Sequence, residues 1–333
     1  MEIGGGTFSH NVGGAITKSG TGVVNMSISS SVFLNNSSPL EGGALVLEDT
    51  QEFCLKIVDS KFIGNSAKNG GSALYALGFS STTVSILVRN VSFVKNVWHE
   101  PEFAADFPNG GALTLDIEAG HLKVLLEKVS FLLNKAATGA STLLIRGYIL
   151  NIIIKDCNFL WNFHDERFSY NWKIADISAY RLNFTMIRTV FSGNYARPRA
   201  DNTRLAGQPI HFFVAGFYTA HLNICNLQYR NNKGGGIFMQ LGMNEHNRNS
   251  TLLMQDSHFE NNEVFSLEIK VKSSSLLQID RLKFEANSFI TSVFECLALF
   301  FLFGFPGGKG NQVLVQNSTL PLRTMCISWV GLH

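Results

Sequence analysis

The segment NFHDERFSYNW, residues 162–172, sets His164, Asp165, Glu166 and Arg167 among aromatic side chains. An imidazole two residues from a carboxyl has the makings of a general acid and base. No third group is placed to orient them, and a charged loop tip is ordinarily just hydrated. Acids also recur at Asp59, Asp156 and Asp256, each three residues before a phenylalanine. Hydrolysis of a glycosidic bond needs two carboxyls facing each other across the sugar. The repeats between these acids carry Asn90, Lys128, Arg188 or Asn226 at the same place, so the column reads as solvated turn residues. Five widely spaced cysteines contain no CxxC pair, which argues against a zinc site or a dithiol redox centre. They read as small buried hydrophobes, with room for one disulfide if the fold brings two together. The expectation is therefore no catalytic residue, no metal and no cofactor.

The elements that position these residues come from a repeat. An aromatic followed three residues later by Asn occurs at Phe8/Asn11, Phe33/Asn36, Phe62/Asn65, Phe93/Asn96, Phe131/Asn134, Phe159/Asn162 and Phe191/Asn194, then at Tyr229/Asn232, Phe259/Asn262 and Phe284/Asn287. The steps between aromatics run from 25 to 38 residues, a period that signals a repeat architecture. Five residues before each aromatic the chain is always apolar, for example Ile57, Val88, Leu126 and Ile154. From the second repeat on, so is the position seven before, for example Leu55, Ile86, Val124 and Ile152. Apolar residues two apart with polar ones between them mark a strand with one face buried. The polar residue three before the aromatic then bends the chain, and a short second strand carries the aromatic inward.

After the Asn comes a glycine element, as in Gly42-Gly43-Ala44-Leu45 and Gly110-Gly111-Ala112-Leu113, which turns a corner and opens a third short strand. Such a unit buries its apolar face only by stacking on its neighbours, strand over strand. The expected fold is all-β, a right-handed parallel β-helix of about ten coils. Phenylalanines then pile up inside, and the asparagines tie turn to turn as amide ladders do in stacked strands.

At these residues the sequence resembles parallel β-helix proteins of the pectin-lyase-like fold. More closely, it resembles the chlamydial polymorphic outer-membrane proteins, whose repeats carry GGA[ILV] and FxxN. The resemblance covers about residues 1–287 and implies an extracellular, adhesin-like rod; the C-terminal barrel of the bacterial proteins has no counterpart here. Carbohydrate-active enzymes share the fold, so fold does not settle function. The Asn-Thr-Asp, Asp-Asp and Gly-His-Gly strings of polygalacturonase-like relatives are missing. Asp201-Asn202-Thr203 and Gly120-His121 are the nearest approaches.

Three coils are lengthened at the same corner, over Val97 to Asn109, Phe163 to Asn171 and Tyr195 to Ala206. Insertions in stacked repeats collect on one face, and that face often binds. Trp98, Phe103, Trp161, His164, Arg167, Tyr170, Trp172, Tyr195 and Arg199 are the candidate ligand residues there, since aromatics and arginines carry binding energy at interfaces. Coverage of the sheet by those same aromatics is the competing reading. A formal charge of +2 and no basic run argue against nucleic acid. The expected partner is a protein or glycan on a cell surface or matrix.

Asn-x-Ser/Thr sequons at Asn25, Asn35, Asn90, Asn183 and Asn249 are candidate glycosylation sites, and those at Asn36 and Asn317 complete the set. With unpaired cysteines they favour an extracellular or cell-surface location. The chain opens inside a repeat without a signal peptide, and so reads as part of a longer one. Residues 288–306 are nearly all apolar and, through 289–305, approach the length of a membrane span; an apolar cap or a gene-model artefact are the alternatives. The remainder, 307–333, reads as a degenerate coil, because Val313, Val315 and Asn317 resume the repeat register. The function expected is non-enzymatic adhesion or ligand recognition, with a β-helix polysaccharide lyase or glycoside hydrolase as the alternative.

Overall fold

The computed structural model describes residues 1–20, 22–48, 52–78, 83–99, 110–136, 140–164, 173–196, 210–234, 236–241, 248–263, 267–271, 274–287, 299–304, 312–318 and 325–330. All regular structure among them is β, in parallel sheets of 18, 10 and 6 strands. Neighbouring strands within a sheet are one repeat apart in sequence, so the chain winds as a parallel β-helix.

The ten-stranded sheet is built from three-residue strands centred on the repeat aromatic. Phe8, Phe33, Phe62, Phe93, Phe131, Phe159, Phe191, Tyr229, Phe259 and Phe284 pair in unbroken register. From Phe8 to Phe191 their rings stack inside the coil at centroid distances of 4.4–5.1 Å. The two apolar columns line the same core: Ile57 pairs with Val88, and Val88 with Leu126. All three are fully buried.

Two bends frame each aromatic strand. Ser30, Asp59, Asn90, Lys128, Asp156, Arg188, Asn226, Asp256, Arg281 and Asn317 hold the first, with φ between 47° and 55°. This is the left-handed region, which short polar side chains tolerate best. The second bend, one residue before the ladder Asn, is left-handed too, with Lys95, Leu133 and Trp161 at φ 54–56° and Gly193 at 65°. The sequence pattern exposes the first bend but not the second, because the second carries no consistent residue type. At the glycine corner, Gly71 has φ 55° and a Cβ there would stand 2.5 Å from the Leu74 carbonyl oxygen.

Two features depart from the three-short-strands expectation. The two residues after the ladder Asn form a sheet of their own: Ser37–Ser38, Ser66–Ala67, Val97–Trp98, Lys135–Ala136, Phe163–His164 and Tyr195–Ala196. The lengthened coils therefore diverge only after these pairs. In the middle coils the third strand also runs without a break into the first strand of the next coil, over Leu113–Glu127, Ala140–Lys155, Lys173–Ile187 and Ile210–Cys225. The strands curve through that corner with register shifts instead of a turn.

The sheet continues past residue 287. Leu299–Gly304 pairs with both Leu267–Val271 and Met325–Val330, and Gln312–Gln316 pairs with Ser274–Asp280. Val313 and Val315 fall opposite Leu277 and Ile279, in the expected register. Of the apolar segment 288–306, only 299–304 is described, as strand. No helix among the described residues is long and apolar enough to cross a membrane.

Candidate recognition surface

The asparagine ladder fixes the corner from which the surface projects. Asn134 Oδ1 accepts from both the backbone N–H and Nδ2 of Asn96, each at 3.0 Å. Asn134 Nδ2 in turn donates to Asn162 Oδ1 at 3.0 Å and to the Phe93 carbonyl at 2.9 Å. The side-chain amide bonds repeat from Asn11 to Asn287 through Asn36, Asn65, Asn194, Asn232 and Asn262. Every amide from Asn36 to Asn262 is fully buried, which leaves no water to compete for it. The Asn36 sequon is thereby closed in the folded chain.

Around this fixed line, alternation along the backbone decides what faces out. One residue before the Asn and one after it project to solvent; two after it turn inward. Trp161 is accordingly 59% exposed and Tyr195 38% exposed. Trp98, offered by the sequence as a ligand contact, is a correction: it sits two residues past Asn96 and is 1% exposed, in one column with Ala67 and Ala136. His164 is buried in that column for the same reason. Glu166, the acid that His164 would have worked with, lies outside the described residues, as do Phe103, Arg167, Tyr170, Trp172 and Arg199.

What remains is a compact aromatic patch spread over three adjoining coils. A Cβ on Gly193 would stand 2.6–2.8 Å from three atoms of the Trp161 benzo ring, so the indole covers Gly193 and fills the space of its missing side chain. Leu133 lies one coil back from Trp161 in the same bend column and is exposed. Two residues further along the chain, Lys135, Phe163 and Tyr195 pair coil to coil. Lys135 Nζ stands 5.4 Å from the Phe163 ring centroid, a cation–π contact. Exposed planar rings with a cation beside them suit sugar rings or a protein hot spot.

The acids singled out in sequence are partnered at the surface. Asp156 accepts from Arg188 at 2.5 and 3.0 Å, and Asp256 from Arg281 at 2.5 and 2.9 Å. The donated guanidinium bonds hold both carboxyls below the usual carboxylate range. Asp59 accepts from Asn90 at 2.6 Å. Cys54, Cys157 and Cys225 are free thiols, and burial pushes the Cys157 thiol up to about 11. Among the described residues no cluster of three or more His, Cys, Asp or Glu side chains could hold a metal.

A charged group escaped the sequence reading. On the outer face of the 18-stranded sheet Asp176 is buried, and one carboxylate oxygen meets Arg146 Nη2 at 3.3 Å and Lys173 Nζ at 2.8 Å. Lys173 Nζ also lies 3.9 Å from the Phe213 ring centroid. Asp116 falls in register with Arg146 one coil away. Asp116 and Asp176 each stand 15 residues before a core aromatic but Arg146 stands 13 before, so strand pairing and not sequence offset puts Arg146 opposite Asp116.

A second group did leave a signal. Tyr148, Tyr180 and Tyr218 each stand 11 residues before a core aromatic. Their rings stack on the outside, at 4.8 and 4.9 Å, where the long strands curve.

Fold and surface together define a parallel β-solenoid that carries solvent-facing aromatic groups on a rigid frame. No family model matches the chain, and no curated protein and no solved structure is detectably similar to it.

Proposed function

We propose that this chain is a non-enzymatic extracellular or cell-surface protein, a right-handed coil that adheres to or recognises a glycan or protein through one lateral face. The GGA[ILV]/FxxN repeats, the resemblance to pectin-lyase-like and chlamydial polymorphic outer-membrane repeats, and the outward asparagines of four sequons support this. Asn25, Asn35, Asn90 and Asn183 are exposed and are the candidate glycan acceptors.

The observation that carries the reading is Trp161 over Gly193, with Phe163, Tyr195 and Lys135 beside it. Large rings held at the surface outside the core offer apolar area to water, and a natural use for it is contact with a ligand. The test is binding of the chain to cultured cells and to a glycan array. Replacing Trp161 and Tyr195 together by Ala should reduce binding at least tenfold while the thermal midpoint stays within a few degrees. Undiminished binding refutes the reading.

One observation favours a second reading, a carbohydrate-active enzyme. Asp116, Arg146, Asp176 and Lys173 bring two carboxyls and two cations to one stretch of outer sheet face. Incubation with a panel of polysaccharides tests it: product release that vanishes in Asp176→Asn supports the enzyme, and no release from any of them removes it.

A further inference from the structure

The three stacked tyrosines have no place in the reading above. They sit on the corner where the long strands curve, away from the asparagine ladder. Strand pairing sets Tyr148 beside Tyr180, and Tyr180 beside the pair Phe217–Tyr218, where a register shift admits one extra residue. Tyr148 is 46% exposed and Phe217 43%. The interplanar angles are 4° and 14°, so each ring braces the next. One coil before Tyr148, the residue that likewise precedes a paired position is Gly120, which offers no ring. The stack therefore ends on Tyr148, with one ring face unmatched by any aromatic among the described residues.

On the C-terminal side of the stack the paired positions are cationic or neutral, whereas the Asp116–Arg146 pair lies on the other side, two residues before Tyr148. His121, Ile149, Arg181 and Thr219 form the next column, and Lys123, Asn151, Asn183 and His221 the column two residues on. None of these eight is an acid. Arg181 is exposed, and its guanidinium carbon stands 5.4 Å from the Tyr218 ring centroid. Asn183 Nδ2 donates to Asn151 Oδ1 at 2.8 Å, which holds two amides in a row on the same face.

We propose that this corner binds an anionic glycan, a sugar chain bearing sulfate or carboxylate groups. A pyranose lies along the solvent side of the stack, its apolar C–H face against the exposed ring edge of Tyr148. Its anion meets Arg181, whose planar fork pairs two oxygens at once. Lys123 adds long-range attraction, and the phenol hydroxyls answer the sugar hydroxyls. Because stacking already immobilises the rings, little side-chain freedom is lost on binding. From Tyr148 to Tyr218 the strip is about 10 Å long, enough for two sugar residues. The proposal rests on the reading of the molecule as a recognition protein, but it concerns a different surface from the Trp161 patch.

Calorimetric titration of the full chain with a heparin hexasaccharide, an oligouronate and a neutral cello-oligosaccharide tests it. At least one charged sugar should bind at least tenfold more tightly than the neutral one, with affinity falling as salt rises. Binding of the sulfated chain alone, or of the uronate alone, identifies the anion. Tyr148→Ala and Arg181→Ala should each weaken the complex about tenfold with an unchanged melting midpoint, whereas Trp161→Ala leaves it intact. Failure of this site is thus separable from failure of the Trp161 surface. Equal affinity for the neutral sugar, equal affinity for a polyglutamate peptide, or full affinity in both variants overturns the proposal.

Discussion

Two aromatic columns climb this molecule at the same spacing, one inside and one outside. The phenylalanine column from Phe8 to Phe191 has ring centroids 4.4–5.1 Å apart, and the tyrosine column has 4.8 and 4.9 Å. The strand repeat sets both distances, so ring spacing alone does not distinguish structure from function. Surroundings do. Phe33 to Phe191 are fully buried among the apolar strand residues, so each ring removes its whole surface from water. The tyrosines stay part-exposed, Tyr148 at 46%, and stack on one another outside the core. The outer column is therefore expected to add less to stability than the inner one.

The inner column also shows what happens when its rule is relaxed. At Tyr229 the ring tilts 42° from Phe191 and 46° from Phe259, with centroids 6.2 and 5.8 Å away. The Phe212 ring from the neighbouring long strand lies 5.2 Å from Phe191 at 44° and takes up the space. A packed interior accepts an irregular stack provided another side chain fills the gap.

The comparison breaks first at the core. Phe131→Ala should destabilise the coil by about 3–5 kcal/mol in urea unfolding, the usual cost of a buried aromatic cavity. A loss below about 1 kcal/mol would mean the inner column is not the source of cohesion. Asn134→Ala comes next. It strips the acceptor from Asn96 N–H and Nδ2 and the donor from the Phe93 carbonyl, all without access to water. Unsatisfied buried groups cost about 1–3 kcal/mol each, and partial relaxation makes a total of about 2–4 kcal/mol the expected result.

Cys157 sharpens the contrast between inside and outside chemically. Burial raises its folded pKa to about 11, above the ordinary thiol value. The native state therefore favours the neutral thiol: stability is fully present below the unfolded value and is lost as pH rises towards about 11. Cys157→Ser or Cys157→Ala should flatten that alkaline loss in pH-dependent melts. Thiol labelling at neutral pH should mark exposed Cys54 rapidly and Cys157 only after unfolding. The smallest effect is expected outside. Tyr180→Ala should cost about 1–2 kcal/mol, because it breaks two part-exposed ring contacts that contribute about 0.5–1 kcal/mol each. A loss as large as that of Phe131→Ala would erase the distinction between the two columns.

Much of the architecture was legible because the repeat fixes residue types at constant offsets. Phe131, Asn134 and Leu126 occupy columns that recur through every coil, and each such column turned out to share one environment. The tyrosine column was equally legible: Tyr148 to Tyr180 and Tyr180 to Tyr218 are 32 and 38 residues apart, the same steps as Phe159 to Phe191 and Phe191 to Tyr229. Trp98 shows where residue type misleads. Its ring suggested a ligand contact, and a two-residue strand that leaves little trace in sequence turned it inward.

The amino-acid sequence by itself determined the coil, its inner aromatic column and the asparagine ladder, because burial and hydrogen bonding demand the same residue at each turn. Only the tertiary structure decided which variable residues meet. Asp116 faces Arg146 because the register shifts by two residues between Ile117 and His121, and Trp161 finds its seat because the next coil places Gly193 beneath it. Such neighbours are set by how one coil lies on the next, and where the register shifts at a corner a constant offset from the core aromatic no longer identifies them.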